Sequence, residues 1–170
     1  MGLGSAGYRD GASVRGGAIR LYLVAVGRLR RGPLHDLQTD YAGRLVPPAT
    51  VIEVEEKRKL SPAELKAREA ELILAARPPA AMLVALDRSG AEWSSRDLAD
   101  RLAVWRDRGA GAVAFAIGGA EGLGKPVLEK ADMVLSLGTM TWPHLLVRPM
   151  LLEQLYRAQQ ILAGHPYHRD

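Results

Sequence analysis

The pattern of hydrophobic and polar positions changes at residue 19. From there, stretches typical of strands alternate with stretches that have the period of a helix. Short apolar runs predict five mostly buried strands, at residues 19–26, 50–54, 80–86, 112–117 and 133–137. Apolar side chains that recur every three or four residues predict the helices that follow them, at residues 33–46, 62–76, 94–109 and 147–163, with a short helix after residue 125. Strands that alternate with helices predict an α/β fold, a doubly wound and mainly parallel sheet flanked by helices.

Local signals mark where several of these elements begin and end. Ser61 and Glu64 have the spacing of a capping box, and Pro62 suits the first helical position. The polar segment 87–90 predicts a loop after the third strand, and Gly164 predicts the end of the last helix. Residues 1–18 contain six glycines and show neither period. They are expected to be a disordered extension in front of one domain, residues 19–170.

Composition narrows the class of protein. The 170 residues are 48% hydrophobic and 25% charged, which is enough apolar material for a core. The absence of cysteine excludes disulfides, thiolate zinc sites and cysteine nucleophiles, and it fits a reducing cytoplasm. The longest apolar run, residues 80–86, is far shorter than the roughly 18 residues of a membrane span. Residues 1–17 hold no stretch suited to a signal peptide. We therefore expect a cytoplasmic protein without a membrane partner.

Charge gives a weak indication of a nucleic-acid partner. The net charge is +4, from 23 basic and 19 acidic side chains. A single phenylalanine among few aromatic residues argues against a module that stacks bases on aromatic side chains. Arginine outnumbers lysine 18 to 5, and its planar guanidinium suits phosphate recognition. Most arginines are expected to be solvated, including two groups that cluster along the chain: Arg28, Arg30 and Arg31 after the first strand, and Arg148, Arg157 and Arg169 near the carboxyl terminus.

Three loops follow strands and are candidates for a ligand site, because ligands of such sheets bind at the carboxyl ends of strands. They follow Leu86, Ile117 and Leu137. The second holds four glycines within residues 118–124, so its backbone amides can approach an anionic or polar ligand closely. The stretch from Gly119 to Lys125 also has the spacing of a nucleotide-binding P-loop, but Pro126 replaces the Ser or Thr that would hold magnesium. A wide turn without a ligand explains the glycines as well.

The third loop and the carboxyl-terminal tail hold the other candidate groups. Residues 137–144 mix small, hydroxyl and apolar side chains, which suits an adenosine-like ligand held mostly by main chain. An ordinary loop packed by Trp142 is the alternative. Residues 165–170, here called the tail, contain two of the four histidines. Because no matching carboxylate and histidine set occurs elsewhere, we expect no metal site.

Three segments together resemble the ribosomal RNA large subunit methyltransferase H family, within the SPOUT class of knotted methyltransferases. They are residues 117–122 (IGGAEG), 143–148 (PHLLVR) and 165–169 (HPYHR), and the likeness extends over residues 19–170. The resemblance implies transfer of a methyl group from S-adenosyl-L-methionine to N3 of pseudouridine 1915 in helix 69 of 23S rRNA, with the assembled ribosome as substrate. It also implies a homodimer and a cofactor site in a carboxyl-terminal trefoil knot.

The resemblance also assigns residues to the site. The cofactor contacts that it implies are Leu86, Gly118, Gly119, Leu137, Gly138, Thr139, Met140, Thr141, Trp142 and Pro143. Because the attacking nitrogen must lose a proton, a nearby base is expected. The first candidates are His168, Tyr167 and Arg169 in the tail, and the second are Glu121 and His144. Ala120, Leu145 and Gly164 depart from the residues that are common in the family. A nucleotide-dependent hydrolase and a noncatalytic RNA-binding domain remain as alternatives.

Overall fold

The computed structural model describes residues 17–169. Its strands and helices, in chain order, are β1 (Arg20–Val26), α1 (Pro33–Arg44), β2 (Thr50–Val54), α2 (Pro62–Ala76), β3 (Met82–Glu92), α3 (Ser95–Asp107), β4 (Ala112–Ile117), α4 (Lys125–Lys130), β5 (Met133–Ser136) and α5 (His144–Leu162). Residues 1–16 of the predicted extension lie outside the described residues. The alternation of strands and helices that the pattern predicts is confirmed.

The five strands form one parallel sheet in the order β2-β1-β4-β3-β5. All six residues of the central strand β4 are buried. Its valine, phenylalanine and isoleucine face the core that includes side chains of α3 and α5. Its three alanines face the core that includes α2 and α4. Since successive side chains of a strand point to opposite faces, this alternation places helices on both sides of the sheet.

Capping side chains fix the start of two helices. Ser61 accepts a hydrogen bond from the amide of Glu64, and the Glu64 carboxylate accepts one from the amide of Ser61, which confirms the predicted capping box. Ser94 and Asp97 form the same arrangement at the start of α3. These pairs satisfy amides that the first turn of a helix otherwise leaves without partners.

Two predicted boundaries are wrong by three residues or more, and the others lie within two residues of the observed ones. The segment 87–90 is not a loop, because β3 continues through it to Glu92. A bulge separates Leu86 from Ala91, and both of them pair with Leu135 of β5. Gly90 allows this close approach, since a Cβ atom there would lie 2.6 Å from the carbonyl carbon of Val134. The last helix begins at His144, three residues before the predicted start at Val147.

Candidate functional site

The bulge of β3 and the loops after β4 and β5 line a cavity of about 440 Å³. All three segments that the sequence singled out, after Leu86, Ile117 and Leu137, contribute to its wall, together with the first turn of α5. They converge because parallel strands end at the same edge of the sheet, here called the carboxyl edge. The volume falls in the range of small-molecule sites, roughly 300–1,000 Å³. The cavity is therefore the candidate site of this fold.

Most of the residues expected to touch a cofactor line the cavity. Those that do are Leu86, Gly118, Gly119, Leu137, Gly138, Met140, Thr141 and Trp142. Thr139 is exposed, and Pro143 is the N-cap residue of α5. Neither of these two belongs to the lining. The sequence did not single out Lys66, which also lines the cavity from α2.

The glycines of the loop after β4 close a tight turn. The amide of Gly122 donates to the carbonyl of Gly119 at 3.0 Å, and Gly122 has a φ of 74°. A Cβ atom on Gly118 would lie 2.5 Å from the carbonyl carbon of Gly122. Real Cβ atoms essentially never come so close to backbone. The turn therefore requires glycine at residue 118, and it leaves main chain at the cavity wall.

The loop after β5 is held by hydrogen bonds within itself. The Ser136 hydroxyl donates to the carbonyl of Gly138 and accepts from its amide, at 3.1 and 3.2 Å. The indole of Trp142 donates to the carbonyl of Leu137 at 3.3 Å. Met140 stays 70% exposed although it lines the cavity, so it lies at the mouth.

A buried carboxyl group lies behind the glycine turn. Glu69 on α2 is 8% exposed, and its two carboxyl oxygens would lie 3.2 and 3.3 Å from a Cβ atom on Gly119. Burial raises the pKa of Glu69, and the negative charge of Glu121 raises it further. Glu69 was not among the residues predicted for the site. The sequence feature that indicates it is a polar side chain four residues before Ile73, on the buried face of α2.

The arginine at residue 148 is not solvated, contrary to expectation. The Arg148 side chain is fully buried between α5 and the ends of β1 and β2. Its guanidinium donates to the carbonyls of Val26 and Gly27 at 2.6 and 2.7 Å, and to the Glu53 carboxylate at 2.9 Å. This residue joins three elements at the carboxyl edge of the sheet.

His144 is one of the two candidate bases that line the cavity. Burial lowers its pKa below the usual value of 6.5, and the positive charge of Arg148 lowers it further. The imidazole is therefore neutral at pH 7 and able to accept a proton. Glu121 also lines the cavity, with an exposed side chain.

We expect a histidine titration followed by NMR to give His144 a pKa below 6.5. The same shift predicts that His144 contributes stability above about pH 6.5, where it is neutral in both states. That contribution is lost as the pH falls through its lowered value, because the unfolded chain binds the proton more readily. A pKa of 6.5 or above for His144 would contradict this account.

Residues 165–169 of the tail lie away from the cavity of their own chain. Tyr167 packs on Tyr156 with ring centroids 4.9 Å apart, and its hydroxyl donates to Glu153 at 3.1 Å. The Nδ1 atom of His168 lies 3.4 Å from the guanidinium of Arg157. Arg157 comes thirteen residues after His144 on α5, about 20 Å along the helix axis at 1.5 Å per residue.

The catalytic roles of Tyr167, His168 and Arg169 stay predictions. None of the three lines the cavity. Arg169 is exposed. The hydrogen bond with Tyr41, followed by burial and by the hydrogen bond and charge of Glu153, raises the pKa of Tyr167.

Residues 17–169 hold neither a membrane-spanning helix nor a group of metal-binding side chains. No helix among them is long and apolar enough to cross a membrane. In the same part of the chain, no three His, Cys, Asp or Glu side chains form a group suited to a metal ion.

Comparisons with known proteins agree with this architecture. The family model described as "Predicted SPOUT methyltransferase" matches residues 19–168. The ribosomal RNA large subunit methyltransferase H of Rhodospirillum centenum is 56% identical over 151 residues, which are 89% of this chain and 99% of that protein. The protein of the same name from Paramagnetospirillum magneticum has the same identity and coverage. Among solved structures, a probable methyltransferase from Bordetella pertussis superposes with a TM-score of 0.52 and 13% identity, covering 82% of this chain and 96% of that one.

The last likeness shows the fold alone, whereas the family model and the relatives cover most of the chain. The chain therefore belongs to the SPOUT methyltransferases and, within them, to the ribosomal RNA large subunit methyltransferase H family.

Proposed function

We propose that this protein transfers a methyl group from S-adenosyl-L-methionine to N3 of pseudouridine 1915, in helix 69 of 23S rRNA of the assembled ribosome. Family membership supports a large-subunit rRNA substrate. The observation that carries the proposal is the cavity, whose wall is built from the loops after β4 and β5 and from the bulge of the adjacent strand β3. A ribosomal substrate places the enzyme in the cytoplasm.

The residues of the cavity fit this cofactor. The Cβ positions of Gly118 and Gly119 are already taken, by the backbone of Gly122 and by the side chains of Val26 and Glu69. The glycines therefore permit a tight turn that presents main chain at the cavity wall, where it can approach a ligand. Leu86, Leu137 and Met140 supply apolar surface for an adenosine group. When bound, the cofactor supplies an activated methyl group on a sulfonium with a neutral leaving group.

The work left to the protein is positioning and proton removal. Orienting the attacking nitrogen toward the methyl group can supply several kcal/mol, because a bimolecular step becomes effectively unimolecular. The imide nitrogen must also lose its proton. Neutral His144 at the cavity wall is placed to accept this proton. Glu121 is the other candidate base from the sequence analysis that lines the cavity.

A role for the tail requires a second copy of the chain. In one chain, Tyr167 and His168 pack beside Glu153 and Arg157, far along α5 from the cavity. We therefore propose that the protein acts as a homodimer in which the tail of one copy completes the cavity of the other. The trefoil knot, like the homodimer, stays a prediction of the family resemblance.

Two measurements test the proposal. Titration calorimetry is expected to show binding of S-adenosyl-L-methionine and none of ATP. Ribosomes that lack the modification should then acquire one methyl group at pseudouridine 1915. Reverse transcription maps it, because a methyl group on N3 blocks base pairing. Methylation at another nucleotide would overturn the assigned target. ATP hydrolysis would favour the P-loop alternative, and ribosome binding without methylation would favour a noncatalytic RNA-binding domain.

Substituting Gly118 by alanine is expected to weaken cofactor affinity by about tenfold or more, since about 1.4 kcal/mol of lost binding energy is enough for that factor. The new Cβ atom would meet the backbone of Gly122 at 2.5 Å, so the turn must open. The control is Gly43→Ala in α1, where a Cβ atom meets nothing within 4 Å. We expect that variant to bind normally and to unfold at a slightly higher temperature. Normal cofactor affinity in Gly118→Ala would mean that the turn does not contact the cofactor.

A further inference from the structure

The loop between β1 and α1, residues 27–32, lies beside the cavity. A Cβ atom on Gly27 would lie 3.9 Å from Nε2 of His144, which is part of the cavity wall. One residue earlier, a methyl carbon of Val26 would lie 3.1 Å from a Cβ atom on Gly119, in the glycine turn. We call residues 27–32 the arginine loop. Gly27 thus adjoins His144, which is proposed to accept the proton, and the preceding Val26 adjoins the glycine turn, which is proposed to contact the cofactor.

The arginine loop is held by groups beneath it. Arg148 donates to the carbonyl of Gly27 at 2.7 Å, and the Glu53 carboxylate accepts from the amide of Leu29 at 2.8 Å. Arg148 and Leu29 donate to the same oxygen of Glu53. The Leu29 side chain is 7% exposed and anchors the middle of the loop. A loop fixed in this way loses little conformational entropy when a ligand binds.

The charges of this loop point outward and are not neutralised. Arg28, Arg30 and Arg31 are exposed on either side of the buried leucine. None of the three makes an ion pair with the rest of the chain between residues 17 and 169. Residues 27–35 contain no acidic side chain. Lys57 and Lys59, both exposed, follow the neighbouring strand β2 at the same edge.

We propose that the arginine loop binds backbone phosphates of the RNA substrate and so places the target nucleotide over the cavity. This inference rests on the proposed function and adds to it the surface by which the enzyme holds its RNA. Guanidinium groups match phosphate oxygens with two parallel hydrogen bonds, and unpaired arginines lose no internal partner when they bind. Arg148 and Glu53 are positioning residues for this surface, since they act through the loop.

The first test replaces all three arginines in one variant, Arg28→Gln, Arg30→Gln and Arg31→Gln. The matched control removes the same charge on the side of the sheet where the strands begin, opposite the carboxyl edge, with Arg20→Gln, Arg108→Gln and Lys130→Gln. Affinity for ribosomes is measured by cosedimentation over a range of salt concentrations, and cofactor affinity by calorimetry. We expect the first variant to bind ribosomes at least about tenfold more weakly. The slope of the logarithm of its binding constant against the logarithm of salt concentration should become shallower by about two to three. Its cofactor affinity, and all properties of the control, should match the wild type.

The second test separates positioning from general stability. Glu53→Gln keeps a carbonyl oxygen that can accept from both Leu29 and Arg148, whereas Glu53→Ala removes it. The alanine variant is expected to raise KM for ribosomes severalfold with kcat and cofactor affinity little changed, and the glutamine variant to restore KM. Equal ribosome affinity in the two triple variants would overturn the inference. An inactive wild-type enzyme that still loses ribosome affinity in the first triple variant would instead count against the proposed function.

Discussion

Deletion of residues 167–170 is expected to lower the rate of ribosome methylation by at least about 100-fold, the smallest loss expected for a general acid–base group. Cofactor affinity should stay within about twofold, which is less than 0.5 kcal/mol. The reason is geometric. The cavity is lined by residues between 66 and 147, and the tail packs elsewhere on its own chain. Calorimetry beside a methylation assay gives both quantities, and full activity in the truncated protein would rule out a role for the tail.

Two further variants identify how the tail acts. Tyr167→Phe keeps the ring packing on Tyr156 but loses the hydrogen bond to Glu153. We expect it to retain far more activity than the deletion if the tyrosine mainly anchors the tail. Co-expression of the tail deletion with Gly118→Ala should restore activity, since a mixed dimer contains one intact cavity and one intact tail that meet across chains. No restoration would indicate that each tail serves its own chain.

Replacement of Arg148 by methionine is expected to reduce the free energy of unfolding by about 3 kcal/mol, within the range for breaking a buried polar network. Methionine fills much of the space but donates no hydrogen bond. The carbonyls of Val26 and Gly27 therefore lose a donor at a buried position, and Glu53 loses its ion-pair partner. Glu53 is partly exposed, so water can solvate its charge and limit the loss. Urea denaturation measures the change.

The matched control for Arg148 is Arg44→Met on α1. Arg44 pairs with Asp40 at 2.8 Å, but both side chains are 48% exposed. Exposed pairs of this kind contribute little because water screens them, so the variant should be close to the wild type. A loss as small in Arg148→Met as in Arg44→Met would mean that the buried guanidinium is not a structural requirement of this fold.

The sequence predicted the elements that local chemistry determines. The limits of β2, α2 and β4 agree with the apolar pattern, and Ser61 with Glu64 fixes the start of α2. The pattern also predicted that the segments after Leu86, Ile117 and Leu137 would meet, because strand ends of a parallel sheet share an edge. The first of these segments is a bulge of β3 and not the predicted loop. Family resemblance then supplied the identity of the site that glycine content alone left open.

The errors arise where distant residues decide the structure. Residues 87–90 have the composition of a turn, yet they form a bulge within β3, because Leu86 and Ala91 on either side of them pair with Leu135 of β5, more than forty residues later. The Arg148 side chain meets Glu53 across 95 positions of sequence, and no local pattern reports that pairing. The burial of the Glu69 carboxyl group similarly depends on the glycine turn that packs against it. Long-range packing of this kind overrides local propensity.

Strand β5 is one of the two outermost strands of the sheet, and this position affects how a ligand changes its motion. It pairs with β3, and the loop after it supplies one wall of the cavity. The outermost strand on the other side, β2, contributes no residue to the cavity wall. A ligand in the cavity therefore opposes local opening of β5 but not of β2. At a free concentration of about 100 times Kd, the cofactor should make such opening about 2.7 kcal/mol less favourable. Amide hydrogen exchange should then slow at Val134 and Leu135 much more than at Val51 and Ile52, making one edge of the sheet a reporter of occupancy.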